Sequence, residues 1–202
     1  MKRAVAIIAA GAGRRLFAAS LFALIAISLQ GCGSNPTPAA NISPDIANPP
    51  FKPVASIREL MDSTVDPAAD GLWDAVSTTV TYAGIDKREP RTDEEWRVVR
   101  RHAITLVEAM NLVIMDGRHA APPGTKAGLG ELTPAQIDAK IAANRTEFYS
   151  FAGGVRDNAL QALQAIDRKD AKTLFKIGGD IDATCEGCHV TFWYPNSPRP
   201  AN

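Results

Sequence analysis

The sequence predicts an all-α protein whose helices form an antiparallel four-helix bundle over residues 54–193. Two observations predict this fold. Apolar residues recur at helical spacing in several stretches, and no clear strand pattern competes with them. Segments rich in proline, glycine and polar residues separate these stretches. Helices with one apolar face bury that face against one another, so a bundle is the expected arrangement.

The first 32 residues are predicted to be a lipoprotein-type signal peptide. A basic beginning is followed by an apolar run over residues 16–29. That run is shorter than the roughly 20 residues of a membrane span. It ends in Leu29-Gln30-Gly31-Cys32, which resembles the lipobox of bacterial lipoproteins, where the cysteine is lipidated and becomes the new N-terminus. We therefore expect a lipid anchor on Cys32 in a protein that faces the periplasm. Ordinary cleavage after a small residue is the alternative.

Two segments outside the bundle are expected to lack regular structure. Residues 33–53 contain six prolines and few apolar side chains, which predicts an extended tether between anchor and bundle. Residues 194–202 are predicted to be a disordered tail. After residue 32 the chain carries 22 acidic against 18 basic side chains, a net charge of −4, so binding to nucleic acid is not expected.

The first helix is expected to begin near Val54, because Val54, Ile57 and Met61 fall at helical spacing. Pro67 should end or kink it, since a proline inside a helix costs about 3 kcal/mol. A second helical piece follows, with its apolar residues at Leu72, Trp73 and Val76. Residues 76–82, rich in Thr and Val, can form a short extended segment. Residues 83–91 begin with a turn at Ala83-Gly84 and are predicted to be a polar connection.

The second long helix begins with a capping-box pattern formed by Thr92 and Glu95. It is expected to stop at Gly117, a residue type that favours helix C-termini. His102 lies beside its apolar stripe, and His119 lies in the Gly- and Pro-rich loop that follows. The apolar stripe consists of Trp96, Val99, Ala103, Leu106, Val107, Met110 and Val113.

Two further helices complete the predicted bundle. Thr133-Pro134 gives the start of a long helix with an apolar face that extends to Ile166. Gly153-Gly154 interrupts this face, which favours close packing of another backbone or of a cofactor. The last helix begins near Asp170. Its apolar stripe consists of Leu174, Ile177, Ile181, Cys185, Cys188 and Phe192.

The last helix carries the run Cys185-Glu186-Gly187-Cys188-His189, a C-x-x-C-H motif. This motif is typical of covalent c-type haem attachment, with two thioether bonds and an axial imidazole. Positions i, i+3 and i+4 share one helix face, so all three side chains can meet one flat macrocycle. A Cys2His2 zinc site with His102 and His119 is one alternative. A thioredoxin-like redox pair would need strands around the motif.

The motif near the C-terminus and the amphipathic helices before it resemble the class II c-type cytochromes, the group of cytochrome c-prime and cytochrome c-556. The resemblance covers roughly residues 54–193. It implies one haem c attached to the last helix of a four-helix bundle, with thioether bonds at Cys185 and Cys188 and proximal iron ligation by His189. It also implies that the residue on the distal side of the iron, on the first helix, decides the function.

Met61 is our choice for that distal ligand, because it lies on the expected apolar face of the first helix. A distal methionine implies a single-electron carrier that serves redox partner proteins. A vacant distal site implies the alternative, a five-coordinate haem protein that binds NO or CO. A haem-free lipoprotein scaffold is a third reading. No enzymatic site stands out, and a homodimer is left open. The other candidate distal ligands are Met110, Met115, His102 and His119.

Overall fold

The computed structural model describes residues 51–195, and these residues are mostly helical, as the sequence predicts in outline. The predicted signal peptide, the lipidation of Cys32, most of the tether and the tail after residue 195 lie outside the described residues. The elements are α1 (Ile57–Leu60), a π-helical segment (Met61–Val65), α2 (Asp66–Trp73), β1 (Ser77–Thr81), β2 (Gly84–Arg88), α3 (Asp93–Val113), α4 (Pro134–Ala143), α5 (Arg145–Asp167) and α6 (Ala171–Phe192).

The first helical run begins at Ile57, and Ser56 is its N-cap. Ser56 and Glu59 form a capping box, in which the Ser56 N–H donates to Glu59 Oε2 at 2.8 Å and the Glu59 N–H donates to Ser56 Oγ at 3.2 Å. The predicted start near Val54 is therefore wrong by three residues. Val54 does not face the core, since it is 87% exposed.

Of the two outcomes predicted for Pro67, an end or a kink, the structure contradicts the first, because the helical run continues past this residue. A π-helical segment comes just before it, and the Asp66 N–H donates to the carbonyl of Met61, five residues back. In a regular α-helix the proline ring would clash with the carbonyl four residues earlier, that of Ser63. The wider π-turn relieves this clash, so that α2 continues to Trp73.

A hairpin follows α2. Strands β1 and β2 are antiparallel, with Ser77 opposite Arg88 and Thr81 opposite Gly84. The extended segment expected at residues 76–82 is confirmed, but residues 84–88 form a strand where a polar connection was predicted. Asp86, Lys87 and Arg88 are residue types with weak strand preference. The strand therefore forms because it pairs with β1, and not because of its own sequence pattern.

The later helices agree with their predicted starts and differ in where they break. Thr92, Thr133 and Asp170 cap α3, α4 and α6 as expected. Helix α3 ends at Val113, before the predicted stop at Gly117. The single helix predicted after Thr133 is two helices, because the backbone leaves helical geometry at Asn144.

The core lies where α5 packs against α3 and α6, while α2 packs against the same two helices. Among the helices of residues 51–195, none combines the length and apolar character that crossing a bilayer requires. The largest fully buried side chains come from α2, α3 and α6, and they are Leu72, Leu106, Leu174, Ile181 and Phe192.

Candidate cofactor site

A cavity of about 350 Å³ lies between the first helical run, the C-terminal end of α3, the N-terminal half of α5 and the C-terminal half of α6. Its size is within the range of small-molecule and cofactor sites. Most of its walls are apolar or aromatic. Side chains of this kind in the walls are Ile57, Val65, Ala69, Trp73, Val113, Phe148, Phe151, Ala152, Val155 and Trp193.

One wall of the cavity is formed by the motif on α6. Cys185, Cys188 and His189 all line the cavity, and each is half-buried. Their spacing on a continuous helix places them on one face, as the sequence predicts. The end of this helix is held in place by backbone bonds, since the N–H groups of Trp193 and Tyr194 both donate to the carbonyl of His189, at 2.8 and 3.0 Å. Tyr194, the first residue of the predicted tail, is thus hydrogen-bonded to the end of α6.

The two thiols are free, and the residues that carry them are half-buried. Burial raises the pKa of Cys185 to about 11, and the negative charges of Asp182 and Asp66 add to the effect. Burial likewise raises the pKa of Cys188 to about 12. Both side chains are therefore neutral thiols near pH 7, because an apolar wall disfavours the thiolate.

The first helical run forms another wall and contributes Met61 to it. Met61 is the first residue of the π-helical segment and is half-buried. Leu60, its neighbour, is buried but is not among the residues that line the cavity. Helix α3 contributes Met110, which is 4% exposed. Two of the five candidate distal ligands thus reach the same cavity as the motif.

The remaining three candidates lie elsewhere. The imidazole of His102 packs on α2, so closely that a methyl group on Gly71 would lie 2.4 Å from His102 Cγ. His119 is exposed, and its Nδ1 lies 3.0 Å from Asp138 Oδ2. Met115 contacts Arg118 through its sulfur at 3.7 Å. The four ligands of the zinc alternative are therefore not brought together, and residues 51–195 contain no group of three or more Cys, His, Asp and Glu that could hold a metal ion.

Glycines let α5 and α6 approach each other beside the cavity. A methyl group on Gly187, inside the motif, would lie 2.9 Å from Phe151 Cε1. A methyl group on Gly154 would lie 3.1 Å from Thr184 Cγ2. Gly154 thus provides the close packing that the Gly153-Gly154 pair predicted. Phe151 in turn packs edge-to-face on Phe192, with 6.3 Å between ring centroids.

The cavity also has a charged rim, whose acidic residues were not predicted. Arg58 lies 3.7 Å from Glu131 across this rim. Burial raises the pKa of Asp66, while the nearby His189 opposes that rise. Tyr194 donates a hydrogen bond to Glu186 at 2.7 Å, and burial is the main cause of its raised pKa. The carboxylates that line the cavity are Asp62, Asp66, Glu131, Asp182 and Glu186.

A signal for this rim was present in the sequence. Arg58, Asp62 and Asp66 are spaced four residues apart, as are Asp182 and Glu186. Side chains at this spacing share one side of a helix. Trp73 was recognised only as a core residue. Its indole N–H donates to the carbonyl of Gly178 at 3.0 Å and ties α2 to α6 above the cavity.

The residues around the cavity fit a covalently bound haem. The apolar and aromatic walls suit a flat macrocycle, the two thiols and the imidazole lie on one wall, and a thioether lies on another. Arg58, at the rim, has the charge to pair with a propionate. No family model, curated protein or solved structure matches the chain.

Proposed function

We propose that this protein is a monohaem c-type cytochrome that transfers single electrons. The observation that carries the proposal is that Cys185, Cys188 and His189 line one cavity together with Met61. Each of these residue types has a defined role in c-type haem proteins, and here they come from two separate parts of the chain. Covalent attachment at the two cysteines would fix the haem in the cavity.

Each residue has an assigned role in this proposal. Cys185 and Cys188 would form the thioether bonds, His189 would be the proximal iron ligand, and Met61 the distal one. The haem supplies the one-electron chemistry, while the chain supplies its axial ligands, excludes water and so sets the reduction potential. In this proposal residues 57–73, α3, α5 and α6 form the antiparallel four-helix bundle, with the haem on α6.

The proposed setting follows from the beginning of the chain. We propose that the protein is exported, lipidated at Cys32 and anchored in a membrane with its haem domain facing the periplasm. Two or more acyl chains suffice for stable anchoring. The tether of residues 33–53 would let the haem domain reach redox partner proteins. Globomycin-sensitive processing of the full chain, together with the mass of its acylated N-terminal peptide, tests this part independently of the haem.

Expression with the c-type maturation machinery tests the haem assignment. The expected product contains one haem per chain by its pyridine haemochrome spectrum, and its intact mass is that of the chain plus one haem. The Cys185→Ala/Cys188→Ala variant should retain no covalent haem. A wild-type chain that matures without a haem adduct would contradict the proposal and leave the haem-free scaffold as the better reading.

Absorption and electron paramagnetic resonance spectra of the holoprotein test the distal ligand. Low-spin six-coordinate iron that becomes high-spin in Met61→Ala, but not in Met110→Ala, supports Met61 as the ligand. The reverse pattern would assign the ligand to Met110. High-spin five-coordinate iron in the wild-type protein, with CO or NO binding, would favour the gas-binding alternative over the electron carrier.

A further inference from the structure

The mouth of the cavity is acidic. Of the five carboxylates that line it, those of Asp62, Asp66, Asp182 and Glu186 belong to exposed residues. Arg58 is the one Lys or Arg side chain among the lining residues that the structure describes, and it lies beside the fifth carboxylate, that of Glu131. We call the four exposed acidic residues the acidic mouth.

These carboxylates lie close enough together for their charges to add. The negative charges of Asp182 on α6 and of Asp66 on α2 both raise the pKa of the Cys185 thiol. The negative charges of Glu186 and Glu131 both raise the pKa of the Tyr194 hydroxyl. Separate parts of the chain thus direct negative charge to one opening. An opening of one sign of charge with apolar walls raises the local concentration of oppositely charged partners.

The acidic mouth also lacks the counter-charges found elsewhere. Within residues 51–195 no ion pair involves any of its four residues. At the other end of the long helices, the exposed carboxylates of Asp93 and Asp167 are each paired with a basic side chain. Asp93 lies 2.5 Å from Lys169, and Asp167 lies 2.9 Å from Arg100. The four carboxylates of the acidic mouth therefore stand around the candidate cofactor site without an ion-pair partner among residues 51–195.

We propose that the acidic mouth is a docking surface for a redox partner protein whose own electron-transfer face is rich in lysine and arginine. This inference rests on the proposed function, because the mouth opens onto the proposed haem. Complementary charge would steer the two proteins so that the haem edge meets the partner's redox centre. A second copy of this chain, with the same acidic mouth, would be repelled from it.

Electron-transfer kinetics of the haem-loaded protein test the sign of the charge at the haem edge. Ferrous protein is mixed in a stopped-flow instrument with tris(phenanthroline)cobalt(III), a cation, or with ferricyanide, an anion. We expect the rate constant for the cation to fall by about tenfold as salt is raised, and the rate constant for the anion to rise. Equal salt dependence for both oxidants would overturn the proposal.

Two charge-matched variants locate the effect. Asp62→Asn/Asp182→Asn removes two charges from the acidic mouth, and Asp93→Asn/Asp167→Asn removes two from the far end. The first should weaken the salt dependence for the cation severalfold, while the second should leave it near the wild-type value. Equal effects would mean that only the net charge of the protein matters, which would overturn the proposal.

A lysine-rich class I cytochrome c serves as the protein probe, with its lysine-acetylated form as control. At low salt the native probe should exchange electrons with the wild-type protein at least tenfold faster than the acetylated probe does. With the Asp62→Asn/Asp182→Asn variant, which we call the mouth variant, most of this difference should be lost. Faster exchange with the acetylated form, or a mouth variant that changes only the oligomeric state, would overturn the proposal. Haem content is measured before the kinetics. A protein without haem refutes the proposed function and this inference together. Charge-independent kinetics of a haem-loaded protein refute this inference alone.

Discussion

Replacing Gly187 by alanine tests the packing of α6 inside the motif. The added methyl group would lie 2.9 Å from Phe151 Cε1, whereas carbon atoms in contact prefer about 3.5–4.0 Å. The ring must therefore shift, and its edge-to-face packing on the fully buried Phe192 opposes a shift on that side. Overpacking of this kind typically costs about 1–3 kcal/mol.

Gly179→Ala is the matched control in the same helix. No atom lies within 4 Å of a methyl group at Gly179, and this residue is exposed. Both substitutions gain the same helix preference of alanine over glycine, about 1 kcal/mol. The difference between the two variants therefore isolates the contact with Phe151. We expect the Gly187→Ala protein to be less stable than the Gly179→Ala protein by about 1–3 kcal/mol in free energy of unfolding.

Urea unfolding followed by far-ultraviolet circular dichroism measures this difference. The slope of the free energy against urea should be the same in both variants, so that the shift in midpoint reports stability. The haem content of each preparation is matched beforehand. Equal stability, or a more stable Gly187→Ala protein, would show that Gly187 does not face Phe151 and would refute the reasoning.

Three further predictions concern the contact at Gly71 and the two thiols of the motif. Gly71→Ala should destabilise the protein by about 1–3 kcal/mol in urea unfolding, because its methyl group would overlap the His102 ring. Adding His102→Ala should recover most of this loss of stability. A double variant that is no more stable than Gly71→Ala would contradict the prediction. In the reduced, haem-free chain, burial raises the pKa values of Cys185 and Cys188, so alkylation by iodoacetamide at pH 8 should be on the order of 100-fold slower than for an unfolded thiol. Folding stability should also fall as pH rises from about 9 towards 11–12, because these thiols ionise at lower pH in the unfolded chain than in the folded one. A Cys185→Ala/Cys188→Ala chain with the same pH profile of stability would contradict this.

The helix starts were predictable because capping is local. Thr92, Thr133 and Asp170 each satisfy a backbone N–H within three residues, so the signal lies in a short stretch of sequence. Ser56 and Glu59 carry the same signal, and the prediction missed it because Val54 extended the apparent apolar stripe.

The breaks were harder to predict because they depend on tertiary packing. Asn144 interrupts a helix without proline or glycine at that position, and the strand at Gly84–Arg88 exists through its pairing with Ser77–Thr81. Propensity is a weak guide in such places, because contacts with distant residues decide the outcome.

For the candidate site, the periodicity of the sequence predicted which motif residues face inward. Cys185 and Cys188 continue the stripe of α6, and Met61 continues that of the first helix, so their common cavity agrees with expectation. The acidic residues of the rim were missed because exposed carboxylates are common on helices. Only the packing of α2 beside α6 shows that Asp66 and Asp182 surround one opening.

The π-helical segment also determines how this helix could be shortened. A π-turn holds one residue more than an α-turn. The buried stripe reflects this, since Leu60 and Val65 are five positions apart whereas Ile57 and Leu60 are three apart. Deleting the exposed Ser63 would restore regular α-helical spacing, but it would also place Pro67 inside an unbroken α-helix. A shortened helix is therefore expected to fold well only if the proline is replaced in the same step.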